Sequence, residues 1–155
     1  MGKFNNPTQI ILVSSRYKNK DNIMAVTWWT KISFQPNLYL ISIGKSRFSR
    51  YLIKKSKCFV INFMPYKSKE KILFCGTRSG KNIDKFKESH LHKLEGEKIN
   101  CPVIKESLAF LECKLKKSIE TGDHTLFIGE VVNAKFKKSG KRAFQLSKKK
   151  FTTTK

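Results

Sequence analysis

The stretch "LAFLECKLKKSIETGDHTLFIGEVVNAKF", residues 108–136, decides how this chain folds. Over 108–120 it alternates. Leu111, Cys113 and Leu115 fall on one side of an extended backbone, and Glu112, Lys114 and Lys116 fall on the other. A period of two residues belongs to a strand with one face buried and one face in water. Residues 124–136 continue as a second long strand after "TGD", so the two segments form an antiparallel hairpin.

Working outward toward the N-terminus, "CFVINFM" (58–64) is another apolar strand. "QIILVSS" (9–15) is a short β-branched run, and "NIMAVTWWTKIS" (22–33) follows the polar turn "KNKDN". Residues 9–33 therefore read as a hairpin, with "NLYLISIG" (37–44) as a third strand after Pro36. The connections are too short for helical crossovers, which favours antiparallel pairing. "SRFSRYLIKKS" (46–56) changes period: Phe48, Tyr51 and Leu52 share one face, and Ser46 is a fair N-cap. "SKEKILFCG" (68–76) and "NIDKFKES" (82–89) read as two further short helices. The tail, about residues 138–155, is basic and ends in a threonine run, so a mobile end is expected, with Phe144, Leu146 and Phe151 able to dock it. The sum is a mainly β chain: one domain over 1–155, an antiparallel barrel with short helices inserted after its third and fourth strands.

A chain of 155 residues that is 39% hydrophobic, with 12 Phe, is long enough for one core and should fold. It has no apolar run long enough to span a membrane and no secretory leader pattern, which together imply a cytoplasmic protein. The four cysteines, Cys58, Cys75, Cys101 and Cys113, are unevenly spaced without a CxxC pair, and read as reduced structural thiols. His90 and His92 form an HxH with no Cys close by, so no metal site is expected. The charge is +22, from 33 basic and 11 acidic residues. Such an excess suits nucleic acid or anionic ligands, and equally a solvated surface, because it is dispersed along the whole chain. A basic barrel gripping single-stranded nucleic acid is the less favoured reading, since the aromatics cluster in apolar strands instead of alternating with Lys and Arg.

"CGTRSGKNIDKF" (75–86) approaches a nucleotide-phosphate loop but fails it. Its glycines enclose three residues where the Walker A pattern needs four, and Asn82 stands where a metal-binding hydroxyl belongs.

Five stretches together resemble the flavin reductase-like, FMN-binding split barrels, and among them the flavoredoxin type. They are "NIMAVTWWTKISFQP" (22–36), "LISIGKSRFS" (40–49), "CFVINF" (58–63), "CGTRSGKNIDKF" (75–86) and "ETGDHTLFIGEV" (120–131), in the family's order over roughly residues 8–135. The resemblance implies a Greek-key split barrel holding FMN, with NADH or NADPH as transient electron donor. Electrons would pass to free flavin, ferric iron or a protein acceptor; an FMN-bound carrier without NAD(P)H activity is the alternative. No GxGxxG fingerprint is present, so a pyridine nucleotide would dock over the flavin and not in a domain of its own. A homodimer is implied as well.

The resemblance also assigns residues. Ser46, Arg47 and Ser49, with the helix N-terminus behind them, would hold the phosphate. Free N–H donors, a positive dipole end and a bidentate guanidinium suit that anion. Asn22 and Trp28 would border the ring system, together with the backbone of Met24, Ala25, Val26 and Thr27 and of Ile43 and Gly44. Ser79, Gly80 and Lys85 belong to the segment that helps hold the flavin, and Phe151 is the candidate aromatic cover. His124 would stand beside the flavin, where an imidazole can contact the dihydronicotinamide or stabilise reduced flavin. The competing readings are a core aromatic for Trp28, a turn residue for Asn22, and for His124 a turn residue satisfied by Asp123.

Overall fold

The computed structural model describes residues 4–155. Its main sheet has seven strands. In chain order they are β2 (Ile11–Tyr17), β3 (Lys20–Val26), β4 (Trp29–Ser33), β5 (Leu38–Gly44), β6 (Cys58–Phe63), β9 (Ala109–Thr121) and β10 (His124–Phe136). Their spatial order is β3-β2-β6-β9-β10-β5-β4, antiparallel throughout. One core takes Ile11 and Val13 from β2, Met24 and Val26 from β3, Ile41 and Ile43 from β5, and Phe59, Cys113 and Phe127 from the centre. Strands from both ends of the sheet thus share one interior, so the sheet is curled into a barrel left open between β3 and β4: the split β-barrel expected from the sequence.

Leu12 and Ile23, which alternate with these core residues, point outward. There they meet Ile72 and Cys75 of α2 (Lys69–Thr77) and Phe86 of α3 (Lys85–Ser89) in a second apolar cluster. The helix α1 (Phe48–Ser56) follows β5 and buries Ser49, Leu52 and Ile53. No helix among the described residues is long and apolar enough to cross a membrane.

Four local expectations need correction. The segment 22–33 is not one strand. Ile11 pairs with Val26, and the backbone N–H of Ile10 is already given to Ala143, so β2 offers no partner beyond that point. The chain turns at Thr27 and Trp28, and β4 pairs with β5 instead. Trp29 faces the core, its ring 5.6 Å from that of Phe63 and its indole N–H given to the Gln9 carbonyl.

Arg47, not Ser46, is the N-cap residue of α1, and no side chain caps the helix. Glu112 does not point to water: it is fully buried, because the segment 96–104, with β7 (Lys93–Glu95) and β8 (Pro102–Ile104), covers that half of β9. Its carboxylate accepts the backbone N–H groups of Lys98 and Ile99 and the amide of Asn133.

The tail, finally, forms β11 (Phe144–Ser147) and β12 (Lys150–Thr152), which join β1 (Thr8–Gln9) in a second sheet. Phe151 packs against the outer apolar cluster and anchors this sheet.

Candidate functional site

At the end of β5 the chain makes a tight turn into α1. Arg47 donates its N–H to the Gly44 carbonyl at 3.0 Å and adopts an extended cap conformation, φ −76° and ψ 136°. The N–H groups that follow it have no partner four residues back, and the first turn holds no acidic residue. This positive helix end opens on a cavity of about 120 Å³. Ser46, Arg47 and Ser49 line one side, and Asn22, Ser79, Gly80 and Lys85 line the other.

Two side chains pre-arrange this cavity. The Asn22 amide donates to the Ser49 hydroxyl oxygen at 2.9 Å, which leaves the Ser49 proton free for another acceptor. The Asn22 carbonyl oxygen is buried without any partner. Gly80 presses against it: a Cβ at position 80 would lie 1.8 Å from that oxygen, so a side chain there would fill the cradle. Lys85 is buried, and its ammonium donates to the carbonyls of Ile23 (2.8 Å) and Cys75 (2.7 Å). Burial, assisted by the nearby Arg47 charge, lowers its pKa to about 8. Burial acts oppositely on the Cys75 thiol, raising it to about 11.

A larger cavity of about 630 Å³ adjoins the first, and Met24, Ala25, Arg47 and Gly76 line both. Its floor is the stretch Met24–Trp28, where β3 ends and the chain turns. Apolar walls come from Ile72 and Leu73 of α2 and from Phe151 of β12. Gly44 and His124 line it on the Arg47 side: a Cβ at position 44 would lie 3.6 Å from Arg47 Cγ and 3.9 Å from His124 Nε2. His124 lies on Trp28 with ring centroids 4.6 Å apart and planes tilted by 39°. Its Nδ1 is 2.7 Å from the Asp123 carboxylate, which accepts its proton and leaves Nε2 facing the site. That hydrogen bond also holds the Asp123 carboxyl below its ordinary pKa. The arrangement is a groove with a cationic, donor-rich end at Arg47, a neighbouring imidazole, and an apolar stretch walled by Ile72, Leu73 and Phe151.

The residues singled out from the sequence therefore fall in three places. Ser46, Arg47, Ser49, Ser79, Gly80 and Lys85 surround the small cavity. Asn22, expected at a ring edge, sits with them beside Ser49. Met24, Ala25, Val26, Thr27, Trp28, Gly44, His124 and Phe151 line the large cavity. Ile43 lines neither; its side chain is buried in the barrel core, paired across from Thr125, because it alternates with the groove-facing Ser42 and Gly44. Sequence reasoning passed over Arg78 and Gly76, which lie within the stretch that raised the phosphate-loop question, and Lys148 and Lys149 of the tail.

The family model described as "Flavin reductase like domain" matches residues 1–155. Among curated proteins, an uncharacterized protein of Archaeoglobus fulgidus is 39% identical over 114 residues, covering 74% of this chain and 64% of that protein. The chain thus spans just under two thirds of that relative's length. An NADH-dependent FAD reductase of Streptomyces globisporus is 29% identical over 112 residues, 72% of this chain and 60% of its own. An FMN-binding protein from Thermus thermophilus superposes with a TM-score of 0.89 at 24% identity, covering 99% of this chain and 90% of that one. The flavoredoxin of Desulfovibrio vulgaris gives 0.88 at 23% identity, with 97% and 88% covered. At those identities the two structures show a shared fold.

Proposed function

We infer, from the premise that this chain belongs to the flavin reductase-like domain family, that it binds FMN along the groove and is reduced there by NADH or NADPH. The acceptor would be free flavin, ferric iron or a protein. The observation that carries the reading is the donor set of the small cavity: Arg47, the uncapped start of α1, and a Ser49 hydroxyl whose proton is left unused by Asn22. An unpartnered Asn22 oxygen and a glycine at 80, where any Cβ would block the cradle, fit a ligand held closely against this wall.

Bound flavin would supply a redox centre that accepts hydride from a nicotinamide and passes electrons on. The chain's own residues do the rest. Arg47, Ser46 and Ser49 hold the phosphate by charge-assisted hydrogen bonds. Met24–Thr27, Ile72 and Phe151 exclude water from the flat part of the groove. His124 offers Nε2 beside Gly44, oriented from behind by Asp123. Four buried, unpaired cysteines support a reducing, cytoplasmic setting. A second copy of the chain finds support in the outer face of β5, β9 and β10, where half-buried Leu40, Ile119, Leu126 and Ile128 lie together next to Trp28.

The test is a titration of purified protein with FMN, read by quenching of flavin fluorescence. Arg47→Ala should weaken binding about 10- to 100-fold, as loss of one charged hydrogen-bonding group does. Ser49→Ala should weaken it less. Unchanged affinity in both would refute the phosphate assignment. His124→Ala should still take up FMN but be bleached more slowly by NADPH or NADH; an unaltered rate removes His124 from the reaction. Bleaching of the wild type by dithionite alone would mark a carrier without NAD(P)H activity.

A further inference from the structure

The flavin reading leaves two cations of the large cavity without a task. Its ionisable lining is Arg47, His124, Lys148 and Lys149, with no carboxylate among them. Arg47 also lines the small cavity, and His124 is engaged with Asp123 and Trp28. Lys148 and Lys149 form the turn between β11 and β12. Both are exposed, and like most lysines of the chain neither makes an ion pair among the described residues, so both charges are available to a ligand in the cavity they line. Nor is this turn a loose end. β11 pairs with β1, and Phe151 packs into the outer apolar cluster. Thr153 ties the strand end down through the Arg142 carbonyl at 2.7 Å.

We propose that Lys148 and Lys149 bind the phosphates of the pyridine dinucleotide donor and so fix its nicotinamide in the large cavity. This rests on the flavin reading. The donor carries a pyrophosphate, and in NADPH a further 2′-phosphate, while the chain has no GxGxxG loop to receive them. A nicotinamide ring alone has little surface with which to bind. The anionic, non-reacting part of the molecule must supply the binding energy that positions the ring. An anchored pair of cations at the mouth of the cavity provides that contact without drawing on the phosphate-binding wall around Arg47.

The experiment uses FMN-loaded protein and the unreactive oxidised donors, NAD+ and NADP+, titrated by calorimetry. Lys148→Gln/Lys149→Gln should bind them about tenfold more weakly than wild type, the scale of two solvent-screened phosphate contacts. Its dependence on salt should be shallower, and Lys148→Arg/Lys149→Arg should restore most of the affinity. FMN affinity, measured separately on apoprotein, should change less than about twofold. A larger loss for NADP+ than for NAD+ assigns the 2′-phosphate, and equal losses assign the pyrophosphate. Unchanged donor affinity with FMN bound overturns this proposal and leaves the flavin reading standing. A comparable loss of FMN affinity would also overturn it, by giving the lysines to the cofactor. A wild type that takes up no FMN ends both.

Discussion

Lys85 is where burial and charge conflict most sharply. Its ammonium is shielded from water and held only by two backbone carbonyls. Its folded pKa, about 8, lies below the unfolded value near 10.4, so the native state releases its proton first. Between those two values the unfolded chain binds more protons, and stability must rise with pH across the window. Read in the other direction, the contribution is lost as pH falls through 8 and the buried group becomes charged. The Cys75 thiol, raised to about 11, stays protonated over the same range. Relative to Lys85→Met, wild type should gain on the order of 2 kcal/mol of unfolding free energy between pH 7.5 and 10.5, measured by urea denaturation. A constant difference between the two proteins would rule out a strained buried lysine. The sequence marked Lys85 through its "DKF" context, yet nothing in that context shows the side chain bent back onto carbonyls of β3 and α2. Side-chain direction there depends on how α3 packs, which only the assembled fold decides.

At the scale of elements, β9 was read correctly as a strand and incorrectly as an evenly two-faced one. Alternation holds over its exposed half, where Lys114 and Lys116 meet solvent. It fails over Ala109–Cys113, because the 96–104 segment packs on the face left for water. A sequence pattern reports a residue's polarity and not the segment that will cover it, so a buried carboxylate looks the same as a solvated one. The consequence is measurable. Glu112→Ala should cost about 2–4 kcal/mol, since it leaves the Lys98 and Ile99 N–H groups and the Asn133 amide without an acceptor. Glu112→Gln, which keeps one carbonyl oxygen, should cost less; equal denaturation midpoints for wild type and Glu112→Ala would contradict this account. The break at Thr27 and Trp28 was hidden for a similar reason. Both halves of 22–33 have strand composition, and only the finite length of β2 forces the second half onto another partner.

For the whole molecule, a charge of +22 per chain sets long-range repulsion against any self-association through the Leu40, Leu126 and Ile128 face. If that face carries a homodimer, sedimentation should show dissociation at low ionic strength and a stable dimer by roughly 0.3 M salt, where screening lengths shrink below about 6 Å. Leu126→Glu should be monomeric throughout, and a wild type that is monomeric at every salt concentration would remove the dimer. The family and the barrel were legible because five separated stretches agree in order; the wall the tail gives the groove was not, because a lysine-rich tail has the composition of a free end. That wall has a consequence for biosynthesis. Residues 8–9 wait for residues 144–145, and the large cavity gains Phe151 only when β12 has formed. A nascent chain still inside the ribosome tunnel at that point can form the turn at Arg47 but not the wall that Phe151 adds beyond it. On the flavin reading, cofactor capture would follow the formation of β12, and chains truncated before residue 150 should purify colourless.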